Sequence, residues 1–179
     1  REGKGTTFEG GVRVPFIACW PGKIPGGTVV DTPAMNIDLL PTLAKLAGAE
    51  LPKLPIDGKD IWSILAGEKG AKSPHEAYYF WWLRELQAVR SGKWKLHFPH
   101  RYPHVEQPGS GGKPGKIRQM EIGLSLYDLE KDPAESQNVA DKYPDVVERL
   151  KKLADQAREE LGDSATQKKG KGVREPGKV

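Results

Sequence analysis

The apolar positions of the chain fall into three rhythms. Residues 14–20 (VPFIACW) form a nearly continuous apolar run ahead of the turn pair Pro21-Gly22. A short unbroken run flanked by turn residues predicts a strand covered on both faces. Thr28-Val29-Val30 predicts a second, shorter strand. Between 39 and 47 the spacing changes, and Leu39, Leu40, Leu43, Leu46 and Ala47 recur at helical intervals. Asp38 is placed to cap this helix, Pro41 falls in its first turn where a missing N–H costs little, and Gly48 stops it. A shorter helix is predicted over 61–66, between Asp60 and Gly67.

Beyond the polar stretch 68–74 the rhythm changes again. Residues 77–83 (AYYFWWL) are aromatic and continuous, predicting a strand covered on both faces. Residues 87–98 alternate and break at Ser91-Gly92, the pattern of a hairpin. Residues 124–129 supply a fourth strand. Over 144–161, Val146, Val147, Leu150, Leu153, Ala154, Ala157 and Leu161 make one apolar stripe, with Pro144 at its first position and Gly162 just past its end. Four strands without intervening helices, then one helix, predict a small antiparallel sheet covered by a helix. Strand, loop and helix before them predict the closing edge of an α/β layer. The fold class is therefore α/β in two parts, 1–72 and 73–162. Residues 99–122 show no rhythm and are expected as a long loop, functional or disordered; 163–179 is expected as a disordered basic tail.

Composition changes this picture only a little. With 179 residues there is room for one domain or a domain plus a piece of another. A hydrophobic content of 37%, with 21 Gly and 15 Pro, means many loops. The net charge of +4 lies mostly in the tail, where five Lys/Arg face Asp163 and Glu175, so the body carries only +1. A nucleic-acid binder concentrates positive charge on a folded face, so no nucleic-acid partner is expected. No run approaches the ~18 apolar residues of a membrane helix, so no membrane partner is expected. The single cysteine, Cys19, rules out an intrachain disulfide and is expected as a buried thiol in the first strand.

Candidate chemistry concentrates in GKGTTFEGGVRVP, residues 3–15. Glycines let backbone approach a ligand closely. Lys4, between Gly3 and Gly5, is a cation on a mobile stem among unobstructed N–H groups, a combination that suits sulfate or phosphate. Glu9 and Arg13, four residues apart, are expected as an ion pair, exposed or tying the loop to the core. His97 alternates with Leu96 and Phe98 and is expected as structural. The four histidines have no metal-ligand spacing on one helix or hairpin, and Asp31, Asp38, Asp57 and Asp60 are too dispersed, so no metal site is predicted in this chain.

GKGTTFEGGVRVP, with the Trp20-Pro21-Gly22 turn after it, resembles the signature of the type I, formylglycine-dependent, arylsulfatase-like sulfatases. Residues 36–43 (NIDLLPTL), Asp57-Gly58, 89–96 (VRSGKWKL), 126–129 (LYDL), Asp132-Pro133-Ala134-Glu135 and Asn138 resemble further blocks of that family in the same order, across residues 1–160. The resemblance implies the tail end of an alkaline-phosphatase-like α/β domain, followed by a C-terminal subdomain of four-stranded antiparallel sheet packed on a helix. It implies hydrolysis of an aryl or carbohydrate sulfate ester, with Lys4 as the catalytic, sulfate-contacting residue and His104 as a second substrate contact. It implies calcium, with ligands expected upstream of residue 1, and a nucleophile made from the cysteine of a Cys-x-Pro-x-Arg motif. Cys19 departs from that motif, since Trp20-Pro21-Gly22-Lys23 follows it, with lysine in the place of arginine and downstream of the Lys4 loop. The chain alone is therefore expected to be inactive. The Lys4 loop does not itself separate sulfate from phosphate. A phosphomonoester or phosphonate hydrolase of the same superfamily stays open, as does a non-catalytic chain binding an anionic glycan. Family habit implies export to periplasm, extracellular space or lysosome; no oligomeric state is implied.

Overall fold

The computed structural model describes residues 1–175. The chain divides into two compact units, one of residues 15–76, the other of residues 1–14 with the chain from 77 onward. The larger unit begins with a single helical turn, α1 (Glu9–Val12).

In the 15–76 unit, α2 (Leu39–Ala47) forms where the apolar spacing places it and ends at Gly48, whose φ of +65° suits the left-handed cap. Asp38 does not cap it. This fully buried carboxylate takes the N–H of Met35 and of Lys59, each at 2.9 Å, and faces His75 Nε2 at 2.7 Å. Local backbone donors compete with the helix start for a short acidic side chain, and here they win. α3 (Trp62–Leu65) follows, with the Trp62 N–H donating to Asp60 Oδ1 at 2.9 Å. The strands expected at 14–20 and 28–30 do not form, and Phe16, Ile17, Val29 and Cys19 are exposed. Apolar character says where a segment can be buried. A strand also needs a neighbour for its N–H and C=O groups, and none pairs here among the described residues. The expected buried Cys19 thiol is consequently at the surface.

In the larger unit, β1 (Tyr78–Trp82), β2 (Glu85–Ser91) and β3 (Trp94–His97) run antiparallel. β4 (His100–Gln107) and β5 (Lys116–Ile122) form a separate two-stranded ribbon, and β6 (Ser125–Asp128) returns to the sheet beside β3, giving the order β1-β2-β3-β6. α4 (Pro144–Leu161) follows, then the short pair β7 (Gly162–Asp163) and β8 (Lys168–Lys169). The hairpin turn falls at Gly92, φ +59°. β1 is an edge strand, so its far end is exposed at Trp82 rather than covered on both faces. Residues 99–122 were expected as a loop. The ribbon found there projects polar residues along much of both faces, so it lacks the period-two apolar signal of a half-buried strand. The tail was expected to be disordered, yet Gly162, at φ +84°, turns the chain so that Gly162 pairs with Lys169; Lys178 lies outside the described residues.

Strand alternation gives the sheet two different faces. Val89, Leu96 and Leu126 cluster with Val147, Leu150, Leu153 and Ala154 of α4. The intervening positions Arg90, Lys95, His97 and Tyr127 point the other way, in the register Arg90↔Lys95↔Tyr127 and His97↔Ser125. Onto that face come Phe8 and the ribbon, in a second cluster of Phe8, Tyr102, Ile122, Tyr127 and Leu129.

Candidate functional site

The Lys4 loop folds back on itself. Gly5 has φ +91°, a conformation that favours glycine. A Cβ at Gly10 would collide with the carbonyl oxygen of Glu2, and one at Gly11 would run into that of Thr6 and stand 2.7 Å from that of Gly3. The Thr6 hydroxyl donates to Gly3 O at 2.9 Å. Gly10 and Gly11 are thus required by close backbone contact inside the loop, and Gly5 by its positive φ. Lys4 is exposed, and among the described residues no hydrogen bond or ion pair holds its ammonium.

The residues after Lys4 are clamped to the polar face of the sheet. Phe8, fully buried, stacks on His97 at 4.6 Å between ring centroids and meets Tyr102 edge-on at 4.9 Å. The Glu9 N–H donates to Glu135 Oε2 at 2.6 Å. The Glu9 carboxylate takes Lys95 Nζ at 2.9 Å and faces Arg90 at 3.5 Å. Lys95 also meets Glu135 Oε1 at 3.1 Å, and His97 Nε2–H donates to the same oxygen at 2.8 Å. Lys95, His97 and Glu135 are all fully buried. A lone charge at such a depth costs several kcal/mol, about that much per ion; here two carboxylates face a lysine and an arginine, and the hydrogen bonds close around them. A second thread runs from the Thr7 hydroxyl to Gln87 Oε1 at 3.3 Å and from Gln87 Nε2 to Glu85 at 2.8 Å.

Burial pushes the His97 imidazole down to about 4, with the Lys95 charge adding to it against the pull of Glu135. His97 is therefore neutral at neutral pH, giving Nε2–H to Glu135 and leaving Nδ1 without a partner among the described residues. His100 likewise faces Phe98 O through Nδ1 at 2.7 Å and is lowered by burial. For Glu135, burial works to raise the carboxyl, but the His97 hydrogen bond, the Lys95 charge and the Glu9 N–H outweigh it and hold it below the usual range.

Of the residues expected at a site, Lys4 and His104 come to the same region. His104, on β4 opposite Arg118, places Nδ1 3.0 Å from Oε1 of Glu2, two residues before Lys4. Glu9, expected to pair with Arg13, gives its carboxylate to Lys95 and Arg90, because Phe8 and Glu9 turn into the protein. His97 is the structural residue its alternation suggested. Sequence reasoning missed the roles of Lys95, Arg90 and Glu135. The sequence carried no signal for them: Lys95 alternates with Trp94 and Leu96 just as a solvated lysine on the outer face of a strand would. Calcium finds no ligand set here, since no three His, Cys, Asp or Glu among the described residues are grouped to hold a metal ion. No helix among the described residues is long and apolar enough to cross a membrane.

What the arrangement offers chemically is the Lys4 cation, without a partner among the described residues, on a loop whose following residues are held by a buried clamp, suited to an oxyanion. Residues 73–176 match the family model described as the C-terminal region of aryl-sulfatase, and residues 3–103 match the C-terminal model of N-sulphoglucosamine sulphohydrolase. Arylsulfatase A of Homo sapiens is 42% identical over 165 residues, covering 86% of this chain and 32% of that protein. Steryl-sulfatase of Mus musculus is 37% identical over 150 residues, covering 75% and 23%. The solved structure of PsFucS1 sulfatase from Pseudoalteromonas sp. superposes with a TM-score of 0.72 at 29% identity, over 88% of this chain and 32% of that one. The chain spans about a third of the length of arylsulfatase A, the relative with which it shares 42% identity.

Proposed function

Since the chain belongs to the aryl-sulfatase family, we propose that it forms the C-terminal part of an enzyme hydrolysing an aryl or carbohydrate sulfate ester. The observation that carries this is Lys4, exposed and without a partner among the described residues, on a loop whose following residues are locked to a buried Glu9–Lys95–Glu135–His97 cluster. In this reading Lys4 holds a sulfuryl oxygen and offsets the charge that develops on the ester bridge oxygen. A donor aimed at developing charge acts most strongly when it needs no reorganisation, and the clamp supplies that condition. His104 is the second substrate contact, oriented by Glu2. The nucleophile and the calcium ion that the family resemblance implies belong to residues outside this chain, and this chain's part is to bind and position. The complete enzyme is exported, to periplasm, extracellular space or lysosome.

The test is turnover by the complete enzyme of p-nitrophenyl sulfate against p-nitrophenyl phosphate, beside the 179-residue chain alone. The proposal expects cleavage of the sulfate ester in preference to the phosphate and no turnover by the chain alone. Preference for the phosphate would assign the Lys4 loop to phosphoryl chemistry. Turnover by the isolated chain would show that the nucleophile lies within it.

A further inference from the structure

We propose that the open cleft beside the Lys4 loop is a subsite for the alcohol half of the ester, and that it takes a ring carrying a second anionic group. The ring lies on Trp82 and the anion meets Arg84. The inference rests on the proposed function and deepens it by naming the leaving-group chemistry.

The cleft, of about 830 Å³, is lined by Trp82, Leu83, Arg84, Glu85, Ser164 and Ala165, a volume within the range of small-molecule sites. It adjoins the Lys4 loop at two points. A Cβ added at Gly5 would lie 3.9 Å from Cη2 of Trp82. The Glu85–Gln87–Thr7 thread runs from the cleft to the same loop.

The turn that forms the cleft is costlier than its topology needs. Two residues join β1 to β2, a connection most easily made with Asn-Gly. This chain instead holds Leu83 at φ +54° with 88% of its surface exposed. A bulky residue in the left-handed region persists only where its surroundings dictate it, and such positions gather at functional sites. Here the surroundings are visible. The Ser164 N–H donates to Arg84 O at 2.8 Å. The Leu86 N–H donates to Asp163 Oδ1 at 3.3 Å, and the other oxygen of that buried carboxylate takes Arg158 Nε at 2.8 Å. The turn is tied to the end of α4 and is a fixed platform. From it Trp82 presents an indole that is 46% exposed. Arg84 is exposed, with no side-chain partner among the described residues. An indole plate stacks on the apolar face of a ring, and a guanidinium takes a carboxylate or sulfate through paired N–H donors.

Three esters test this in the complete enzyme: ethyl sulfate, p-nitrophenyl sulfate and 4-sulfooxybenzoate. Trp82→Ala is expected to cut the kcat/KM ratio of p-nitrophenyl sulfate to ethyl sulfate about tenfold, with Trp82→Phe restoring most of it. Arg84→Ala is expected to cut the ratio of 4-sulfooxybenzoate to p-nitrophenyl sulfate about tenfold or more. Unchanged ratios overturn the proposal. So does an equal loss on all three esters with a lowered Tm, which would mark Trp82 as a contact with another part of the protein. If the complete protein cleaves none of the three, the functional reading fails and calorimetric binding of 4-hydroxybenzoate decides the cleft. A Kd weakened about tenfold by either alanine variant sustains the subsite; an unchanged Kd, or no binding, overturns it.

Discussion

On one face of the β1-β2-β3-β6 sheet, Val89, Leu96 and Leu126 meet Leu150, Leu153 and Ala154 of α4 in an apolar cluster. On the other, the buried Lys95, Glu9, Glu135 and a neutral His97 meet beneath Phe8, with the half-buried Arg90 beside Glu9. The apolar face gains from area removed from water, is non-directional, and tolerates repacking at similar volume. The polar face gains little net energy from its ion pairs, but it fixes geometry, because Lys95 is held between the Glu9 and Glu135 carboxylates and His97 donates to Glu135. The loop that carries Lys4 is docked on the second face. Stability is concentrated on the helix side, and placement of the candidate site on the charged side.

The sharpest way to break this contrast is to remove one member from each face. Lys95→Met leaves Glu9 and Glu135 facing each other without their lysine and is expected to destabilise the complete enzyme by about 3–5 kcal/mol in denaturant melts. Pairing it with Glu135→Gln should return part of that loss, since an apolar or neutral replacement of both partners costs less than an orphaned charge. No recovery in the double variant would mean the cluster acts through packing alone. Leu150→Ala on the helix face is expected to cost about 3 kcal/mol by cavity formation.

The two faces should also part in their response to pH. The folded state holds His97 at about 4 against an ordinary 6.5, so the unfolded chain binds the extra proton between those values. Stability is then fully present above about pH 6.5 and falls by roughly 3 kcal/mol as the pH drops to 4. Glu135, held below the usual carboxylate range, adds a loss in the same direction at lower pH. His97→Gln should reduce the slope between pH 4 and 6.5 and leave the part that His100, also lowered by burial, contributes, while Leu150→Ala should lower the curve without changing its shape. A slope unchanged by His97→Gln would place the titration elsewhere. The smallest effect is expected from Phe8→Leu, which removes ring contacts with His97 and Tyr102 worth about 1 kcal/mol but keeps an apolar plug. A loss near that of Lys95→Met would show that Phe8, not the charges, fastens the loop.

The contrast also explains what could be read in the amino-acid sequence. α4 was legible to the residue, because an apolar stripe with Pro144 and Gly162 at its ends has one meaning. The hairpin at Ser91-Gly92 was legible for the same kind of reason. The polar face was not, because Lys95 and Glu135 look like solvated charges until the register places them together. The β4–β5 ribbon was hidden, since only its base is buried, at His100, Tyr102 and Ile122, too short a stretch to show alternation, and the rest is half-buried or exposed. The run at 14–20 misled in the opposite way, as apolar residues announce a surface that can be covered and say nothing of a ladder partner. Spacing alone gave Lys4 as an anion cradle; its link to sulfate came from the family resemblance of the whole loop, and the clamp around Glu9 came only from the structure.

The most direct test of the central claim is Lys4→Ala in the complete enzyme, measured as kcat on p-nitrophenyl sulfate together with Tm. If the clamped loop presents Lys4 to the sulfuryl group, kcat falls by roughly 10²–10³ while Tm stays at the wild-type value, because the exposed ammonium holds nothing in the fold. Near-normal turnover in a folded Lys4→Ala enzyme would contradict the account.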